Sequence, residues 1–269
     1  MQFLGLLFSL IVVHVLYTSI VRPQAEIVLA PPQEQVAESP ETDLTPQRSI
    51  WVIIKDYEQQ ICFTLFLWAM IMIVHKLYLV WRERRGLWEN LVDIEKGERV
   101  IPQEALIHAK DLETRLVKTP NLLGNLLPGV ILSALKRFHS THSIQEASQS
   151  IRELSESESE RMDSALSLIR YIAWAIPSVG FIGTVRGIGE ALTKAEQAIE
   201  GDIQGVTLSL GLAFNSTLIA LFLSIILMYF VHLLQSRQES LILEIEDYCR
   251  ENLISVMKIP FKEESEASL

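Results

Sequence analysis

Between residues 165 and 234, two long apolar runs flank a short polar stretch, and this restricts the chain more than any other feature. Each run is long enough to cross a bilayer, for which a helix needs about 20 apolar residues. The stretch between them, EALTKAEQAIEGDIQ, is too polar to stay in hydrocarbon. Each arm carries a threonine: Thr184 in PSVGFIGTVRGIG, and Thr217, with Ser216 beside it, in LGLAFNSTLIALFL. Their midpoint falls near Gly201, so at about 1.5 Å per helical residue each lies roughly 25 Å from the tip. Two hydroxyls at similar depth invite a pathway.

Two further apolar runs precede the hairpin, and 49% of the 269 residues are hydrophobic, gathered in blocks. The expected fold class is an all-α integral membrane protein with four transmembrane helices, whose long helices extend into a helical cytoplasmic region. Segment 1–22 is a first transmembrane helix, with a signal peptide as the alternative; no Lys or Arg precedes its apolar run and no convincing small-residue cleavage site follows, which favours a retained span. Segment 23–60 is an extracytoplasmic linker, with five prolines between 22 and 48, expected to be extended. Segment 61–81 is a second span. Arg82, Arg84 and Arg85 follow it at once, which places that end in the cytoplasm and outweighs the opposing Arg22.

Segment 82–164 is a cytoplasmic helical region. Pro102 opens a helix over 103–117, and PNLLGNLLPG breaks the chain before another over 130–139. From Ser143 no breaker occurs before Pro177, so one long helix is expected to enter the membrane as the first hairpin arm, with SESESE as a solvated face. Segment 165–234 is the hairpin itself. Segment 235–269 is a C-terminal helix and tail, in which Leu241, Ile245, Tyr248 and Leu253 share a face suited to packing on 82–164. The net charge of −10 reports these solvated segments and argues against a nucleic-acid partner. Cys62 and Cys249 are far apart and in different surroundings, so neither a disulfide nor a metal site is expected.

Around Thr184 the same face carries Pro177, Gly180, Gly187 and Ala191, and Gly183 with Gly187 forms a GxxxG pair. Around Thr217 it carries Ala213, Ala220 and Ser224. Small residues let helices approach closely, so these stripes are candidates for lining a pore or packing a partner helix. The competing reading is structural, because membrane Ser and Thr often bond back to the carbonyl four residues earlier. No Asp or Glu is expected at depth, and His14 and His75 are weak candidates for a relay, so any ion-carrying carboxylate should come from another chain. Arg186 lies roughly 200° around the helix from Thr184; Glu190, one turn on, is its natural partner in a structural ion pair, with a partner contact or gate as the alternative.

AIPSVGFIGTVRGIG and GVTLSLGLAFNSTLIALFLSI together resemble the hairpin of the MotA/TolQ/ExbB proton-channel family, most closely its TolQ and ExbB branches, over about residues 173–228. The 33-residue spacing from Thr184 to Thr217 agrees with that family's paired pore threonines. The resemblance implies a channel or stator subunit of an ion-driven rotary motor that energises a cell-envelope process. It further implies a homopentamer in the bacterial inner membrane, multi-pass with a cytoplasmic C-terminus. At its centre would stand a single-span partner of the ExbD, TolR or MotB type with an intramembrane aspartate. The expected ion is H+, with Na+ possible, and no cofactor is implied. Two positions depart from the pattern: Leu212 stands where TolQ and ExbB have glutamate, and Arg186 where they have tryptophan. The extra first span gives a four-span order as in MotA. A non-conducting oligomeric scaffold is the alternative; a transporter lacks matching interrupted halves, and no GxxxxGK[ST], HExxH or paired-cysteine pattern suggests an enzyme.

Overall fold

A computed structural model describes residues 2–29, 49–86, 99–119, 125–199, 201 and 203–259. The remainder of the proline-rich linker, residues 120–124 of the expected break and the tail after residue 259 lie outside the described residues. Ten α-helices are described: α1 (Gln2–Leu16), α2 (Arg22–Leu29), α3 (Ile50–Ile53), α4 (Tyr57–Gly86), α5 (Pro102–Lys118), α6 (Leu126–Thr141), α7 (Ile144–Ser164), α8 (Ser167–Thr193), α9 (Ala195–Ile199) and α10 (Gln204–Asn252). Four helical stretches are long and apolar enough to cross a membrane: Phe3–Val28, Tyr57–Gly86, Ile144–Thr193 and Gln204–Val256. The protein is an all-α membrane protein.

The chain divides into two compact units, Met1–His75 with Ser167–His232, and Lys76–Leu166 with Leu233–Leu269. In the first, α1 runs through a π-helical turn, Tyr17–Val21, into α2. The linker expected from residue 23 thus begins as helix, through Leu29. Pro23 lacks an N–H and its ring crowds the carbonyl four residues back; the wider turn just ahead of it, where Arg22 N–H donates to Tyr17 O, accommodates the ring without ending the helix. Ser9, Val13, Tyr17, Val21 and Ala25 form a buried stripe at four-residue spacing. Val13, Tyr17 and Val21 pack with Phe63 and Leu67 of α4. At the end of this seam Arg22 donates to Gln60 Oε1 at 2.9 Å and lies 4.4 Å from the Tyr57 ring centre.

The first hairpin arm is not one helix from Ser143. A turn at Ala165 and Leu166 separates α7 from α8, and α8 then continues through Pro177. Proline leaves the carbonyl of Ala173 without its helical donor, and the hydroxyl of Ser224 on the other arm supplies one at 2.8 Å. At the tip, α9 and Gly201, whose φ of +101° favours glycine, return the chain to α10.

The second unit has a conventional apolar core. Pro102 opens α5 as expected, whereas α6 begins at Leu126 rather than 130. Prolines are tolerated in a first turn, where the N–H has no intrahelical partner, so Pro128 does not delay the helix. The Leu126 N–H is instead taken by Glu83 Oε2 of α4 at 2.9 Å. Ala105, Leu112, Val130, Ala134, Phe138, Ala147 and Ile151 are packed with Leu241, Ile245 and Leu253, and Tyr248 lies at the margin. The apolar face of the C-terminal helix thus meets 82–164 as expected. Of SESESE, Ser155 is fully buried; the rest forms a largely solvated face.

Candidate functional site

The hairpin seam is built by a periodic stripe of small residues. On α8 the buried positions include Ala173, Gly180, Gly183, Gly187 and Ala191, and on α10 Ser209, Ala213, Ser216 and Ala220. The arms approach so closely that a Cβ at Gly180 would overlap that of Ala220. One at Gly183 would lie 2.7 Å from Ser216 Cβ, and one at Gly187 2.6 Å from Ala213 Cβ. This refines the expectation that the two stripes leave room for a further helix. Within the chain they close on each other, because small residues (glycine, alanine, serine and the two threonines) hold the backbones little apart.

Thr184 and Thr217 meet across this seam. Their hydroxyls are hydrogen-bonded to each other; Thr184 Oγ1 also lies 3.0 Å from Ala213 O, and Thr217 Oγ1 3.0 Å from Gly180 O. The back-bond of Thr184 to Gly180 O is longer, at 3.4 Å. Both side chains are half-buried. Two hydroxyl protons therefore serve three cross-arm contacts, so one contact always lacks a proton, and which one changes by rotating a hydroxyl alone. Ser216 is buried and donates to its own Leu212 O at 3.2 Å, so it packs the seam more than it extends the pair. Pro177 and Ser224 stand further along the arms, joined through Ala173 O as described above.

Arg186 does not rest on Glu190 alone. Its Nε is 2.7 Å from Glu58 Oε1 and its Nη2 2.9 Å from Glu58 Oε2, whereas Glu190 Oε1 is 3.3 Å from Nη1. The fork-on-fork geometry is the stronger arrangement, and the main partner is thus on α4. Glu58 is 9% exposed, and its Cγ would lie 3.2 Å from a Cβ at Gly183. Glu58 lies outside the expected second span over 61–81, and its approach to the hairpin is an addition to the expected Arg186–Glu190 pair. Glu58 sits three positions ahead of the apolar run from residue 61, in the polar sequence YEQQ, and so reads as part of the linker. The distance at which it would act is set by packing and has no local signal. Nearby, burial pushes the Asp56 carboxyl up from its usual range, with Lys55 and Arg186 opposing, and Asp56 Oδ2 has no hydrogen-bond partner.

Outward faces of the arms carry large apolar side chains, among them Trp174, Phe181, Phe214 and Phe222, all exposed in the single chain and suited to lipid or neighbouring helices. Cys62 and Cys249 are buried free thiols. Among the described residues, no group of three or more His, Cys, Asp or Glu is placed to hold a metal ion.

A close-packed apolar hairpin with paired hydroxyls across its seam is an element of an all-α membrane protein. Residues 125–247, a little under half of the chain, match the model of the MotA/TolQ/ExbB proton channel family, which supports the resemblance carried by the hairpin. The match takes in α6 to α9 and most of α10, and leaves α1 to α5, with Glu58, outside it. No curated protein and no solved structure matches the chain.

Proposed function

We propose that this protein is the channel-forming stator subunit of an ion-driven rotary motor that energises a cell-envelope process through a single-span partner. The observation that carries the reading is the Thr184–Thr217 pair, which bridges the two arms of a hairpin inside a proton-channel family segment. A hydroxyl both donates and accepts, so the pair can pass its hydrogen bond from one oxygen to the other as an ion moves by. The family match supports H+ as that ion, with Na+ as the alternative. Since α8 carries no acid besides Glu190 and the apolar run of α10 carries none, the ion-carrying carboxylate belongs to the partner's span. The exposed aromatic faces of the arms suit a homo-oligomer, a pentamer by family likeness, in the bacterial inner membrane. The arginines at the C-terminal end of α4 favour a cytoplasmic second unit. The contacts of α1 with α4 support a retained first span.

One observation favours a second reading, a non-conducting scaffold: each threonine hydroxyl already has partners within the hairpin. Ion flux separates the two. The complex is captured through an affinity tag on this chain from its own membranes and reconstituted into liposomes with a trapped pH dye. An imposed potential should drive proton uptake that falls at least tenfold in Thr184→Val and in Thr217→Val. Uptake equal to the parent's in both variants, or none in the parent, would exclude the channel reading and leave the scaffold.

A further inference from the structure

We propose that Glu58 is the counter-charge that makes the hairpin permissive to cations, by neutralising Arg186, which stands two positions beyond Thr184 on the other side of α8. The inference rests on the channel reading above and adds to it a residue outside the family segment. Arg186 follows Thr184 by two positions, so its backbone lies only about 3 Å further along the α8 axis. A permanent guanidinium charge there is an obstacle to any cation passing the hydroxyls. With an effective dielectric near 20, one uncompensated charge roughly 10 Å away lowers cation occupancy by about tenfold.

Three features assign the compensation to Glu58. Its two oxygens take Arg186 Nε and Nη2 at 2.7 and 2.9 Å, while Glu190 reaches only Nη1 at 3.3 Å. The Glu58 side chain is 12% exposed against 45% for Glu190, so the first neutralises charge in a low-dielectric setting and the second in a screened one. Its stem passes Gly183, the residue preceding Thr184, where any larger side chain would crowd it. The other charged groups at this end are Glu190, Asp56, Lys55 and Arg22, and Glu58 is the more buried of the two carboxylates paired with Arg186. A buried ion pair adds little stability over an apolar pair of the same size, which leaves the field itself as the reason for having one.

The test uses the tag-captured complex in dye-loaded liposomes with Glu58→Gln and the double variant Glu58→Gln with Arg186→Gln, beside Thr184→Val. Glutamine keeps the shape and an acceptor oxygen, so the change is chiefly one of charge. Glu58→Gln should lose at least tenfold in proton uptake at unchanged native mass, and the double variant should recover at least half of what was lost. Parent-level flux in Glu58→Gln overturns the inference. So does a double variant as slow as the single one, since Glu58 would then act through its own proton or its packing. If the single variant fails to assemble, the double variant decides by the same criterion. Parent flux that depends on Thr184 but not on Glu58 removes only this inference, whereas flux indifferent to Thr184 removes the channel reading and this inference together.

Discussion

Single hydrogen bonds carry unusual weight in the seam, because lipid offers no water to replace a lost partner. Ser224 illustrates this: it supplies the donor that Pro177 withholds from Ala173 O. Ser224→Ala should destabilise the protein by about 1 kcal/mol, within the range found for orphaned buried acceptors and membrane hydrogen bonds. Pro177→Ala supplies an N–H to the same carbonyl, so adding it to Ser224→Ala should restore most of the loss. Thermal unfolding in detergent of the two single variants and the double reads this directly, and simple additivity would disprove the coupling. Asp56 gives a prediction in pH. Burial raises its carboxyl pKa in the folded protein, so the folded state favours the protonated acid. The penalty is absent below the unfolded value of about 3.9 and sets in as pH rises through the raised one. Asp56→Asn should therefore gain stability relative to the parent as pH is raised from about 4 towards neutrality, in unfolding curves taken at constant ionic strength. A gap that stays constant with pH would assign no such role to the carboxylate.

At the level of elements, the informative cases are helix ends. The N-cap of α6, Asn125, makes no side-chain cap bond, and the acceptor comes from Glu83 on α4, 43 positions earlier. Glu83→Ala should cost about 1 kcal/mol, as for lost caps generally. Hydrogen exchange should speed up in the first turn of α6 and not in α5, while Glu83→Gln, which keeps an acceptor, should lie nearer the parent. That cap also accounts for the start of α6 ahead of residue 130: Pro128 and Gly129 locally resemble a break, and the compensating carboxylate is far away in the chain. The same reasoning covers Pro23. Local rules end a helix there, and the π-turn that spares it is stabilised by packing of Tyr17 and Val21 on α4, which no window of sequence contains. By contrast, the apolar blocks, the Gly201 tip and the inward face of the C-terminal helix were legible, because each follows from length, glycine chemistry or a 3.6-residue period. The threonines were legible as a pair. What was not legible is that Gly180, Gly183 and Gly187 bring the arms into contact with each other, and that Glu58 rather than Glu190 holds Arg186 most firmly.

For the whole molecule, charge bears on which ends face which side of the membrane. Arg82, Arg84 and Arg85 gather at one end of α4, where Arg84 meets Glu244 at 2.5 Å and Arg85 stacks on Trp81 at 3.9 Å. Cationic side chains next to a span are generally retained on the cytoplasmic side, and the proposed orientation puts the helices of the second unit there and the α8–α9–α10 tip on the opposite side. The native cysteines make this measurable, since Cys62 and Cys249 are both at most 1% exposed and should react slowly with a membrane-impermeant thiol reagent. Exposed positions can then be probed one at a time: Ile50→Cys and Glu196→Cys for one side, Lys118→Cys and Ser255→Cys for the other. In intact spheroplasts the first two should label within minutes, and the second two only after the membrane is opened. The pairs test more than orientation. Ile50 precedes α4 and Glu196 lies in α9, so concordant labelling requires an odd number of crossings between them and the probes at 118 and 255. Labelling of Lys118→Cys without permeabilisation would invert the protein, and discordance between Lys118 and Ser255 would mean that α8 and α10 do not both cross.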